Sequence, residues 1–270
     1  MKSISILDKL ETQLEKNVSY YVQTESSKIH LNDYIGFNWK IKFEGKIFCT
    51  NCGKKTKKSF SQGHCYPCSI KLASCDMCIL KPETCHFHLG TCREPDWGLN
   101  HCFKPHIVYL SYTSGFKVGI TRKSQVPYRW IDQGATQASM LYEVKDRLTS
   151  GRVEVALKEF LADKTDFRKM LKSSDIREDF LEVRKDIIQK AKERNLSDVL
   201  ELPENLTTIQ FPITKHPEKI NSFNLDKTPE ISSELKGIKG QYLIFESGVL
   251  NVRSFSGYQV EIDIEEKNAT

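Results

Sequence analysis

The chain has 270 residues, with 40 Lys and Arg against 35 Asp and Glu, a formal net charge of +5, and 39% hydrophobic residues. That length supports two or three compact units rather than one. No run approaches the roughly 18 consecutive apolar residues of a membrane span, which excludes an integral membrane helix and leaves a soluble, cytoplasmic protein as the expectation.

The N-terminal stretch MKSISILDKLETQLEK places Leu7, Leu10, Leu14 and Val18 at helical spacing, which predicts an amphipathic helix over 1–23. Acidic residues interrupt its apolar face, so it is not a secretory signal. IHLNDYIGFNWKIKFEGKIF (29–48) reads as strands. Residues 1–48 therefore form an N-terminal segment of helix and strands.

All nine cysteines fall between positions 49 and 102. In a chain without a secretory signal such clustering argues for metal rather than disulfides. Cys49-x2-Cys52-Gly and Cys65-x2-Cys68 are two pairs whose short spacers turn both sulfurs toward one ion, the donor set of tetrahedral Zn²⁺. Gly53 permits the tight knuckle turn, and Pro67 with the following residues opens a helix, as in a treble clef or zinc ribbon.

A third pair, Cys75-x2-Cys78, needs partners from Cys85, His86, His88, Cys92, His101 and Cys102. Cys92 and Cys102 are the first choice, giving two structural zinc ions over 49–105. Cys85 and His88 are the alternates, and an iron–sulfur cluster also accepts four thiolates.

The same region is basic. Between positions 40 and 71 stand eight lysines against one acid, Glu44. Lys54, Lys55, Lys57 and Lys58 are the candidate phosphate contacts, with DNA or RNA as the expected partner. The bland alternative is a solvated loop.

Residues 106–172 begin with VYLSYTSGFKVGITR, a hairpin about a Ser-Gly turn. Val108 and Leu110 share one face with Phe116, Val118 and Ile120. Tyr109, Lys117, Gly119 and Thr121 share the other, where Gly119 would let a ligand approach the backbone. A short helix, YRWIDQ, ends at Gly134 and presents Arg129, a planar donor suited to phosphate oxygens. SGRVEVALKEFLADK carries an apolar stripe at Val153, Ala156, Leu157, Phe160 and Leu161, with Glu154 at its edge. Glu154 is either a solvated helix residue or a cation ligand in a cleft.

This order of hairpin, Arg-bearing helix and Glu-bearing helix resembles the GIY-YIG endonuclease superfamily. VYL (108–110) stands where GIY stands, and KVG (117–119) where YIG stands. The resemblance implies an α/β domain over 106–172 and metal-dependent phosphodiester cleavage. Under it Tyr109 would position or deprotonate the attacking water, Arg129 would steady the phosphate, and Glu154 would bind Mg²⁺. Lys117 replaces the tyrosine of the second motif and Val108 the glycine of the first. Lys117 is accordingly a phosphate-binding rather than a proton-accepting group. The stretches CREPDWG, WIDQGA, NLDKTP and GIKGQYLIF also resemble a bacterial family of unknown function.

A helical connector follows over 173–205, with Ile176, Phe180, Val183, Ile187 and Ala191 as its stripe. Residues 206–270 close the chain as an antiparallel β-meander or small barrel, turning at ESG and SFSG. Its Tyr242, Phe245, Phe255 and Tyr258 are either core or a stacking platform for single strands. The expected class is α+β. The expected function is a zinc protein that binds nucleic acid and cleaves it, or a catalytically idle binding or scaffold module.

Overall fold

The computed structural model describes residues 1–161, 165–194 and 196–266. Six strands precede the second cysteine group: β1 (Lys2–Ile6), β2 (Glu11–Leu14), β3 (Val18–Gln23), β4 (Lys28–His30), β5 (Asn38–Phe48) and β6 (Lys55–Thr56). Next come α1 (Tyr66–Lys71), α2 (Pro95–His101), β7 (His106–Tyr112), β8 (Phe116–Arg122), α3 (Tyr128–Asp132), β9 (Gln137–Val144) and α4 (Arg147–Leu157). The chain continues through α5 (Phe167–Lys172), α6 (Phe180–Glu193), β10 (Val199–Glu201) and β11 (Thr207–Thr208). It ends with β12 (Glu230–Lys239), β13 (Tyr242–Phe245), β14 (Val249–Asn251) and β15 (Tyr258–Glu265). Among the described residues, no helix is long and apolar enough to cross a membrane.

The chain divides into two compact units. The first comprises 1–69, 171–173 and 210–270. Its main sheet runs β1-β15-β5-β12-β13-β14, with β6 added to β5, and a smaller sheet runs β2-β3-β4. The main sheet is open, so the small barrel does not form. The helix expected over 1–23 is instead β1, β2 and β3. Leu7, Leu10 and Val18 are buried as their spacing implied, but strand pairing sets the backbone: β2 pairs with β3 as a local hairpin, and β1 takes a distant partner. Lys2 to Ile6 lie antiparallel to Asp263 to Gln259, a partner that no local pattern reveals.

The C-terminal meander is half right. ESG turns β13 into β14, closed by the Phe245 N–H to the Gly248 carbonyl at 2.8 Å. At SFSG the chain leaves that edge through a 3-10 turn (Val252–Phe255), and β15 pairs with β1 and β5. Val260, Ile262 and Ile264 face the core and their polar neighbours face out. Phe245, Phe255 and Tyr258 are also core, which removes them as a stacking platform.

The second unit comprises 70–170 and 174–209. Its sheet runs β10-β9-β7-β8 with β11 on β9, so β7 is central between β8 and β9. The alternation predicted for the hairpin holds. Val108, Leu110 and Val118 join Val153 and Leu157 of α4 and Phe180, Ile187 and Ala191 of α6 in one core. The helix α4 starts earlier than its stripe, capped by Asp146, whose carboxylate accepts from the Thr149 N–H at 2.7 Å. The end of that predicted stretch, Ala162 to Lys164, lies outside the described residues. Gly134 ends α3 at φ +69°, where a side chain would also strike Met170.

Candidate functional site

Three features of the chain carry chemistry, one in the first unit and two in the second. In the first unit, β5 ends at Phe48 and β6 returns beside it, Phe48 opposite Lys55. The knuckle between them closes through Cys49 N–H to the Lys54 carbonyl at 2.9 Å and Gly53 N–H to the Cys49 carbonyl at 2.8 Å. Gly53 has φ +68°, the left-handed turn that its position after Cys52 implied. The second pair is brought in by a loop whose Gly63 carbonyl accepts from Thr50 N–H at 2.9 Å. Cys65 stands just before α1 and Cys68 lies within it.

The sulfurs of Cys49, Cys52, Cys65 and Cys68 all lie within 4.8 Å of one another. Cys52 and Cys65 are 3.8 Å apart. Two thiolates bound to one tetrahedral zinc at about 2.3 Å each are separated by roughly 3.8 Å. The group is therefore positioned to bind a metal and fits structural zinc.

Its electrostatics need the ion. Burial works against the Cys49 thiolate, but the backbone N–H groups of Cys65, Cys52 and Asn51 outweigh it and hold the thiol down at about 6. Cys68 behaves oppositely. Asn51 donates to its sulfur at 3.5 Å and favours the thiolate, yet Cys65, burial, Cys49 and Cys52 together push it up to about 12. Four thiolates cannot share this space unaided, and a divalent cation removes the conflict.

Lys54, Lys55, Lys57 and Lys58 are exposed on this knuckle. Among the described residues none of the four has a carboxylate within ion-pair distance, whereas Lys40 and Lys42 are paired with Glu230 and Glu44. Lys58 lies 5.5 Å from the centre of the Phe60 ring, and Phe60 meets Tyr66 edge to face at 5.6 Å. Tyr66 is 59% exposed. The sequence reading passed over this ring, although it stands directly after Cys65 and close behind the lysine run.

The second unit holds the four candidate catalytic residues on β7, β8, α3 and α4. Tyr109 is directly opposite Gly119 across β7 and β8. Its ring is wholly buried, edge to face with Trp130 at 5.9 Å, and its hydroxyl donates to Gln133 Oε1 at 3.0 Å. Burial pushes that hydroxyl up to about 12, with Arg129 drawing it down and Glu154 pushing it further up.

Lys117 is elsewhere on the same face, its Nζ donating to Thr165 Oγ1 at 2.7 Å. Glu154 lies 3.8 Å from Lys158, with its side chain 16% exposed. The space expected above Gly119 is filled: a Cβ there would lie 2.6 Å from the Tyr109 hydroxyl. Tyr109 itself occupies the position reserved for a ligand. Trp39 and Trp130 are core.

The remaining cysteines surround the turns between α1 and β7. Cys78, Cys92 and Cys102 line one cavity, joined by Cys85, while Cys75 is absent from its lining. Asp76, Cys78 and His86 form a tight trio. Burial first, then Asp76, Cys85 and Cys102, push the Cys78 thiol up to about 12. Cys102 is also raised by burial, with Arg147 acting the other way.

The model of one protein family, described as Protein of unknown function (DUF2797), matches residues 36–260. No curated protein and no solved structure matches the chain.

Proposed function

The chain belongs to the DUF2797 family, whose description assigns no activity, and from the chemistry of its own residues we propose that it binds single-stranded nucleic acid through the metal-organised knuckle. The observation that carries the reading is the set of four exposed lysines without carboxylate partners beside an exposed Tyr66. Lysines held on a cross-linked turn neutralise successive phosphates, and an exposed ring offers a base a stacking face. The metal would serve as scaffold, since four protein sulfurs leave no position for a reacting water.

The test is affinity for an oligonucleotide across a salt series. The logarithm of the binding constant should fall linearly with the logarithm of salt, by about 0.7 per phosphate neutralised. Replacing Lys54, Lys55, Lys57 and Lys58 by Glu should flatten that slope and weaken every sequence alike. Tyr66→Ala should cost roughly 1–3 kcal/mol without changing the slope. A quadruple variant that binds as the parent does would reduce the knuckle to a fold element.

A second reading is a phosphodiester-cleaving site in the other unit, similar to that of the GIY-YIG nucleases. Supporting it are the central position of β7 and the opposing influence of Arg129 and Glu154 on the Tyr109 hydroxyl. Glu154 can supply one carboxylate to Mg²⁺, whose other ligands would be water and substrate oxygens. The buried, tightly held proton of Tyr109 suits it to positioning Gln133 rather than to accepting a proton at neutral pH. Under this reading Glu154→Gln abolishes Mg²⁺-dependent cleavage and spares binding. Parent protein that cleaves neither DNA nor RNA with Mg²⁺ or Mn²⁺ leaves the binding reading alone.

A further inference from the structure

The cysteines beyond the knuckle do not repeat its geometry. Cys78, Cys85, Cys92 and Cys102 line a cavity walled by Ile79, Phe87 and Phe103. Each sulfur comes from a different turn. Cys78 lies in the 3-10 turn Met77–Ile79, Cys85 follows the turn Pro82–Thr84, Cys92 precedes α2, and Cys102 caps its C-terminus. Gly98 of α2 makes room for them: a Cβ there would stand 3.2 Å from the Phe87 ring and 3.5 Å from the Cys92 sulfur. The Cys75 sulfur has Ser74 Oγ at 4.0 Å and does not line the cavity.

The spread of these sulfurs decides what they can hold. In the knuckle all four lie within 4.8 Å of one another, but no three of these four do. A single tetrahedral zinc at about 2.3 Å from each sulfur would need them roughly 3.8 Å apart. This wider cage suits a group in which each thiolate takes its own iron and sulfide bridges the irons.

Charge supports the same occupant. The Nε of Arg147 is buried without a hydrogen-bond partner, and its Nη2 donates to the Ile79 carbonyl at 2.5 Å. The Arg147 backbone N–H donates to the Cys102 carbonyl at 2.8 Å, and no described carboxylate pairs with the guanidinium. A half-buried cation whose Nε is cut off from water favours a counter-charge beside it, and a cluster held by four thiolates is anionic.

The tight trio of Asp76, Cys78 and His86 is occupied with framing. Asp76 lies 2.6 Å from Arg93 Nε and accepts from Cys78 N–H at 3.2 Å, while His86 Nδ1 is 2.7 Å from Thr91 Oγ1.

We propose that Cys78, Cys85, Cys92 and Cys102 ligate an iron–sulfur cluster of the four-iron type, with Arg147 as its counter-charge. The test is the full chain, purified without oxygen and incubated with ferric iron, sulfide and a thiol that reduces part of the iron to the ferrous state. About four irons and four sulfides per chain are expected, with a broad visible absorption. Cys85→Ser and Cys92→Ser should each lose the colour and the sulfide, while Cys75→Ser keeps both. In every variant about one zinc per chain should remain in the knuckle and the far-ultraviolet circular dichroism should be unchanged, which separates ligand loss from misfolding. A parent chain that stays colourless and free of sulfide overturns the proposal. So does a second zinc that Cys85→Ser removes, or a Cys75→Ser chain that loses iron as fully as Cys85→Ser.

Discussion

Alanine at position 119 distinguishes an open site from a filled one. The added Cβ would lie 2.6 Å from the Tyr109 hydroxyl oxygen, 2.7 Å from Cζ and 3.0 Å from Cε2. The ring cannot swing away, because it is wholly buried against Trp130 and tied to Gln133. Forcing one extra carbon into such packing costs about 1–3 kcal/mol. At about 4 °C per kcal/mol for a unit of this size, the midpoint of thermal unfolding should drop by roughly 4–12 °C.

The Tyr109→Leu background removes every atom that the new methyl would strike. Gly119→Ala should then be nearly neutral, and the double-mutant cycle in urea should return a coupling of about 1–3 kcal/mol. A Gly119→Ala chain as stable as the parent, with no coupling to position 109, would refute this packing. It would restore the view of Gly119 as the floor of a ligand site.

The remaining expectations concern metal and pH. Cys52→Ser should remove the knuckle zinc and destabilise the first unit, because ligand binding there is folding energy; a variant with full zinc content would dismiss Cys52 as a ligand. Zinc loading of the apo chain should release protons, chiefly from Cys68, whose thiol stands at about 12 without the ion; weakly buffered titration with a pH indicator reads this directly. His106 is fully buried, with Nδ1 2.7 Å from the Lys104 carbonyl, and burial lowers it from 6.5 to about 4. A depressed pKa means stability that is present above pH 6.5 and lost as pH falls toward 4, about 3 kcal/mol in all. Urea midpoints of parent and His106→Gln across that window should converge as the pH drops, and parallel curves would contradict the assignment.

The parts of the fold that were legible share one property, that their signal is local. The β7–β8 alternation, the Gly134 stop, the α6 stripe and the Cys-x2-Cys knuckle each need only a few neighbouring residues to specify them. The N-terminal strands were not legible, since Leu7, Leu10 and Val18 satisfy a helical period as readily as they satisfy burial in and between strands. The backbone of β1 is decided by β15, more than 250 residues away in sequence, and that of β2 by its pairing with β3. Tyr66 carries no strand or stripe signal in the sequence, because this ring gains its exposure from a short helix that the cysteines anchor.

The two cysteine groups mark how far spacing alone can reach. A two-residue spacer constrains both sulfurs of a pair to one side of one turn, so Cys49, Cys52, Cys65 and Cys68 identify themselves. Cys75 and Cys78 share that spacing, yet only Cys78 lines the cavity. The reason lies in the backbone between them: Asp76 sits extended at φ −69° and ψ 153° and caps the next 3-10 turn through Cys78 N–H. That break separates the two sulfurs and ends the knuckle. In the proposed cluster the place that spacing would give Cys75 goes to Cys85, which arrives on an independent turn behind Pro82. Intervals of six, six and nine residues among 78, 85, 92 and 102 carry no knuckle signature. Such a set becomes visible only once four separate turns have closed around the cavity.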